Sequence, residues 1–183
     1  MRKVNTQGFT LVEMLVTVGV FAIVSVVTSS IFINVNNLQQ QTGNLQRLQN
    51  EGRYLLEKIA KEIRGRELDY GSVGFPNGGL TDRLDFKVDE LGDSMSIKFD
   101  NQNERILISI NGVEEPLNSD QVEIKDLKFK VSPSNDPFSQ IATSSEAMQP
   151  RVTIYMKLSN KDVPERYLKN LELQTTISSK IYK

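Results

Sequence analysis

An uncharged apolar run of twenty residues, 14–33, is the feature that most limits how this chain can fold. It is long enough to cross the roughly 30 Å hydrocarbon layer of a membrane as one helix. After Glu13 the next charged residue is Arg47, and the sequence beyond it is as polar and charged as an ordinary soluble domain. The pattern predicts a single membrane span over residues 9–35, followed by a water-exposed remainder.

The basic leader, residues 1–8, carries Arg2 and Lys3 and no negative charge. Because positive residues beside a span favour the cytoplasmic side, we expect the C-terminal region to lie in the periplasm or outside the cell. A secretory signal peptide has an apolar core of only about 7–15 residues, whereas this run is longer and follows Glu13. A plain signal-anchor helix and a leader cleaved at the small residues 28–30 are the remaining alternatives.

The hexapeptide Gly8-Phe9-Thr10-Leu11-Val12-Glu13 lies between the basic leader and the apolar run. This segment resembles the cleavage and methylation motif of prepilins and pseudopilins, the type IV pilin-like superfamily. The resemblance implies that a prepilin peptidase cuts after Gly8 and that Phe9 becomes the N-methylated first residue. It also implies that Glu13, fifth in the mature chain, acts in assembly.

Glu13 is informative because a charge inside a membrane helix is costly, by roughly 2.5–3.5 kcal/mol at the centre and less near the end. Three groups can compensate it: the positive dipole end of the first helical turn, the α-amine of Phe9 on the same helix face, or the amine of a neighbouring subunit. The resemblance implies the last. The alternative is a Glu13 side chain that simply extends to the lipid headgroups.

The helical pattern continues past the membrane, with apolar residues at intervals of three and four positions and no proline before Pro76. We expect one helix over about 9–64, whose second part, 36–64, is amphipathic and packs against the chain's own C-terminal domain. A flexible joint at Gly43 is the alternative. The predicted apolar stripe comprises Leu45, Leu48, Leu55, Leu56, Ile59 and Ile63.

The C-terminal domain, 65–183, begins with a glycine-rich loop at 65–79 and continues with short segments of alternating apolar residues. Asn111-Gly112 indicates a tight turn, the phase slip at Lys125-Asp126 indicates a bulge, and 132–150 reads as a long loop. We predict an α+β fold: a long N-terminal α-helix packed on a C-terminal antiparallel β-sheet domain of six or seven strands. The predicted strand residues are Leu84, Phe86 and Val88; Met95, Ile97 and Phe99; 105–110; Val122 to Val131; Val152 to Leu158; and Leu171 to Ile177.

Composition argues against an enzyme and against a cofactor. The chain has no cysteine and no histidine, which removes thiol nucleophiles, Ser-His-Asp chemistry and the usual metal ligands. The acidic cluster Asp89, Glu90 and Asp93 offers oxygen ligands for calcium, but it lacks a recognisable ligand spacing, so we favour a solvated turn. We therefore expect no catalytic, cofactor or metal site. The net charge of −1 gives no indication of nucleic-acid binding.

Three functions compete at this point. The resemblance favours a structural subunit of a type IV pilus or a type II secretion-like filament, similar to the minor pilins of the PilW type, the J-type minor pseudopilins and the related competence pseudopilins. Its implied partners are the prepilin peptidase, other subunits, membrane lipid, a platform protein and, indirectly, an assembly ATPase. The alternatives are a membrane-anchored module that binds a surface, DNA or a secreted substrate without entering a filament, and a hydrolase that uses paired carboxylates.

Overall fold

The computed structural model describes residues 8–71, 80–89, 92–137 and 149–179, apart from the side chain of Arg166. Of the leader it therefore includes Gly8 alone, and parts of the two expected loops at 65–79 and 132–150 lie outside it. The chain divides into two compact units, Met1–Thr42 and Gly43–Lys183. Helix α1, Leu11–Gly65, belongs to both, and the units are described separately below.

In the first unit, α1 begins at Leu11, two residues after the expected start. Nearly every side chain from there to Thr42 is exposed, because the helix has no packing partner within this unit. The α-helical conformation includes the uncharged segment 34–46 and Gly43.

In the second unit, the apolar stripe of α1 is buried as expected. Leu48, Leu55, Ile59 and Ile63 are fully buried, whereas Leu45, the first residue of the stripe, is 36% exposed. A glycine, Gly52, also lies on the buried face, one turn from Leu48. The stripe packs against the sheets of the same unit, which confirms the expected role of this part of the helix.

In the described part of the chain, eight strands, and not the six or seven expected, form two antiparallel four-stranded sheets. The α+β prediction is confirmed, but the strands do not form the one sheet that the alternation suggested, because alternation shows which face of a strand is buried and not which strands pair. The first sheet has the order β1-β6-β7-β8, with β1 at Leu80–Thr81, β6 at Val122–Ser132, β7 at Arg151–Asn160 and β8 at Asn170–Ser178. The second has the order β2-β3-β4-β5, with β2 at Arg83–Phe86, β3 at Met95–Asp100, β4 at Arg105–Ile110 and β5 at Val113–Pro116.

Two local predictions are confirmed and one is wrong. Asn111 and Gly112 both have positive φ, 53° and 82°, and connect β4 to β5 as a tight turn. The register of β6 shifts between Ile124 and Asp126, where the bulge was expected. Val88, however, lies beyond the end of β2 and is 62% exposed.

The two sheets are joined through a buried amide, Asn118. Its Oδ1 accepts a hydrogen bond from the backbone N–H of Ile106 on β4 (3.0 Å), and its Nδ2 donates to the carbonyl of Val122 on β6 (2.7 Å). A backbone hydrogen bond from Ile124 to Glu104 (2.8 Å) adds a second link between the sheets. The core thus consists of the helix stripe and the inner faces of two sheets that share hydrogen bonds.

Candidate processing and assembly site

The junction that the motif marks for cleavage lies just before the helix. Gly8, Phe9 and Thr10 are not helical, and all three are exposed, with Phe9 at 77%. Nothing lies within 4 Å of the position that a Cβ on Gly8 would occupy. The Gly8–Phe9 peptide is therefore flanked by exposed residues and is not held within regular secondary structure.

Thr10 and Glu13 form a reciprocal pair at the start of α1. The Glu13 backbone N–H donates to Oγ1 of Thr10 (3.3 Å), and the Thr10 backbone N–H donates to Oε2 of Glu13 (3.4 Å). This is a capping box, in which two side chains satisfy N–H groups that the first helical turn leaves without intrahelical partners. Sequence reasoning missed it, although Thr-x-x-Glu before an apolar run is its sequence signature.

The carboxylate of Glu13 is exposed and lies in the first turn of α1, where the helix dipole favours an anion. This is the first of the three compensations expected from the sequence. Because an ionised carboxylate has two acceptor oxygens and the Thr10 N–H (3.4 Å) occupies one site on Oε2, the carboxylate keeps capacity to accept further hydrogen bonds from a cation. In this chain the nitrogen of Phe9 is an amide bonded to Gly8, and it becomes an amine only after cleavage.

Three hydroxyl groups in the apolar part of α1 donate hydrogen bonds to backbone carbonyls of the same helix. Thr17 donates to the carbonyl of Glu13 (2.7 Å), Thr28 to that of Val24 (2.9 Å) and Ser29 to that of Ser25 (2.8 Å). Such bonds remove the cost of an unsatisfied hydroxyl in lipid. In the part of the chain that the structure describes, α1 is a helix whose length and apolar composition would allow it to cross a membrane.

The described carboxylates of the acidic cluster considered for calcium, Asp89 and Asp93, interact with other groups of the protein. Oδ1 of Asp89 accepts the backbone N–H of Asp93 (2.9 Å), and Oδ2 of Asp89 is 3.2 Å from the guanidinium of Arg66. Oδ1 of Asp93 accepts from the side-chain amide of Asn111 (2.7 Å). Glu90 lies outside the described residues. In the described part of the chain no group of three or more acidic residues could hold a metal ion.

The family model described as "Prokaryotic N-terminal methylation motif" matches residues 3–29, which include the Gly8–Phe9 junction, Glu13 and most of the apolar run. No curated protein and no solved structure matches the chain. The motif and the N-terminal apolar helix fit a type IV pilin-like subunit. The motif also implies processing by a prepilin peptidase and assembly with other pilins.

Proposed function

We propose that this chain is a minor pilin or minor pseudopilin, a structural subunit of a type IV pilus or a type II secretion-like filament. The observation that carries the proposal is the methylation motif at 3–29, within which Glu13 lies at the start of a long helix. Many major pilins carry a helix-breaking proline in the span. The span here has none, which favours a minor subunit of the PilW or J type. The proposed role is structural and not enzymatic.

In the proposed maturation, the prepilin peptidase cleaves the exposed peptide after Gly8 and the new amine of Phe9 is methylated. The subunit resides in the inner membrane as a single-pass protein with its N-terminus in the cytoplasm, as the basic residues Arg2 and Lys3 favour. Its C-terminal domain then faces the periplasm or the exterior, and membrane lipid surrounds the apolar half of α1 until assembly.

In the proposed assembly step, the Glu13 carboxylate pairs with the Phe9 amine of a neighbouring subunit. The pair forms in a region of low dielectric, where an attraction between opposite charges is stronger than in water. It also relieves the cost of leaving Glu13 alone in lipid. A platform protein and a cytoplasmic ATPase supply the machinery that moves the subunit out of the membrane.

Processing is tested by the intact mass and the N-terminal residue of the protein isolated from its native membrane. The expected chain begins at Phe9 and carries one added methyl group. A matched Gly8→Val variant should keep its leader, because the peptidase reads the residue at the cut. A wild-type chain that still begins at Met1 in cells with a working prepilin peptidase would refute the processing step and favour a plain signal anchor.

Assembly is tested by comparing Glu13→Ala and Glu13→Gln with the wild type in sheared filament fractions. Both variants should reach the membrane and be cleaved, yet be lost from the filament fraction. Gln keeps most of the capping geometry and removes the charge, so its failure identifies the charge as the requirement. If both variants enter filaments normally, or if the wild type enters none, a membrane-anchored binding module explains the chain better.

A further inference from the structure

The outer face of the first sheet carries three rows of side chains across β6, β7 and β8. Cross-strand pairing aligns Lys128 with Tyr155 and Gln174, then Lys130 with Thr153 and Thr176, then Ser132 with Arg151 and Ser178. We call these nine residues the basic face. All nine are exposed or half-exposed, and none is acidic.

The three cations of the basic face differ from every other lysine or arginine on the strands. Among the described residues, Lys128, Lys130 and Arg151 make no side-chain hydrogen bond or ion pair. The remaining strand cations each contact a carboxylate: Arg83 with Asp85, Lys98 with Glu114, Arg105 with Asp120, Lys125 with Glu104 and Glu123, and Lys157 with Glu172. On the described strands, pairing of a cation with a carboxylate is thus the rule, and the basic face is the exception.

The acidic side chains of this sheet that lie nearest to the basic face are in the row next to Lys128, Tyr155 and Gln174. There Asp126 pairs with Lys157 across the strands, and Lys157 lies 2.9 Å from Glu172. Two acids and one cation occupy that row, so the positive charge is confined to the three rows of the basic face. The net charge of −1 for the whole chain conceals this local excess.

The side-chain types of the basic face favour nucleic-acid phosphates over an acidic protein as the anionic partner. Protein interfaces have an apolar core with large anchoring side chains, whereas the basic face has one aromatic residue, Tyr155, and its middle row is flanked on β1 by one exposed apolar residue, Leu80. Contacts to nucleic-acid phosphates come from Arg, Lys, Ser, Thr, Gln and Tyr side chains. All nine residues of the face are of these types.

We propose that the basic face binds the phosphate backbone of duplex nucleic acid, without reading its sequence. Three rows two residues apart extend about 14 Å along the strands, and a duplex carries one negative charge per about 1.7 Å of its axis. The face therefore meets several phosphates at once, and its hydroxyl and amide groups bond the oxygens between the cations. This binding goes beyond the proposed filament role and does not depend on it.

The test is fluorescence anisotropy of the full-length chain in detergent micelles with a labelled 30-base-pair DNA duplex, at about 25 to 200 mM NaCl. Three phosphate contacts give a slope of about −2.7 for log affinity against log salt. The variant Lys128→Gln/Lys130→Gln/Arg151→Gln should lose binding at least about tenfold at low salt, and its slope should approach zero.

A matched variant controls for total charge. Lys58→Gln/Lys61→Gln/Arg64→Gln removes three exposed cations from α1 and should retain most of the wild-type affinity and slope. Circular dichroism checks that both variants keep the wild-type fold. Equal losses in the two variants would overturn the proposal, as would a wild type that binds no duplex at 25 mM NaCl. Competition by polyglutamate as strong as competition by unlabelled duplex would also overturn it, and would indicate an acidic protein partner.

Discussion

A Cβ atom on Gly52 would lie 2.5 Å from Cδ1 of Leu173, well inside van der Waals contact. The same atom would lie 3.4 Å from Cδ1 of Leu158 and 3.7 Å from Cδ2 of Leu171. The missing side chain at Gly52 thus lets α1 approach β7 and β8 closely.

We expect Gly52→Val to lower the free energy of unfolding of the C-terminal unit by about 2–3 kcal/mol, because the branched side chain overpacks the contact with Leu173. Gly52→Ala should change it by less than about 1 kcal/mol, since Leu173 can rotate away and alanine favours helix. Urea unfolding of the full-length protein in detergent, followed by circular dichroism of the sheets, measures both.

Two further variants show whether the effect comes from this contact. At Gly43, where a Cβ would meet nothing within 4 Å, substitution by Ala should stabilise the helix by up to about 1 kcal/mol. Combining Gly52→Val with Leu173→Ala should recover part of the loss, which a double-mutant cycle quantifies. Additive losses in that cycle would contradict direct contact.

Thr10 is expected to hold the first turn of α1 through its hydroxyl. Thr10→Val keeps the shape but removes the acceptor for the Glu13 N–H, and loss of such a cap costs about 1 kcal/mol. The Glu13 amide of the full-length protein in micelles should then exchange its hydrogen about fivefold faster. Thr10→Ser retains the hydroxyl and should exchange at nearly the wild-type rate. Equal exchange in the Val and Ser variants would show that the capping box does not stabilise this turn.

Asn118→Ala should be among the more damaging polar substitutions in the chain. It leaves the Ile106 N–H and the Val122 carbonyl without their side-chain partner at the junction of the two sheets. Each buried group left unsatisfied costs about 1–3 kcal/mol, so we expect a loss of about 2–4 kcal/mol in urea unfolding. Asn101→Ala, in an exposed turn, removes the same side chain and should change stability by less than about 0.5 kcal/mol. Similar losses in the two variants would contradict a structural role for the Asn118 amide.

Much of this fold follows from local patterns that can be recognised in the sequence. The stripe from Leu48 to Ile63 has the period of a helix face, and Asn111-Gly112 suits a turn that needs two positive φ angles. The slip at Lys125-Asp126 marks the bulge of β6 because one extra residue shifts the alternation. In each case the interaction lies within a few residues of sequence.

What could not be predicted depends on residues that are distant in sequence. From the sequence, Gly52 looks like a helix-weakening residue, and only the structure shows that Leu173 faces it. Asn118 looks like an ordinary loop residue, and only the paired sheets show its bond to Ile106. The basic face arises only when β6, β7 and β8 align Lys128, Lys130 and Arg151. At the candidate site the reverse held: Gly8, Phe9 and Glu13 were legible as a motif, and only the partnership of Thr10 with Glu13 required the structure.

Tyr70 provides a pH-dependent prediction outside the membrane helix. Its hydroxyl donates to the carbonyl of Pro133 (3.3 Å), and burial, with a smaller effect from the negative charge of Asp136, raises its pKa from 10.0 to about 12. Because the folded protein holds this proton more tightly, the stability that Tyr70 contributes is present below pH 10 and is lost between about pH 10 and 12.

The measurement is ultraviolet titration of tyrosinate, taken as the difference between the wild type and Tyr70→Phe. The difference should show one tyrosine with a midpoint near 12, because the phenolate would have to form in a partly buried place beside a negative charge. Asp136→Asn removes that charge and should move the midpoint down by a small amount, leaving most of the shift to burial. A wild-type difference midpoint near 10 would mean that the Tyr70 hydroxyl is solvated and that its bond to Pro133 does not persist in solution.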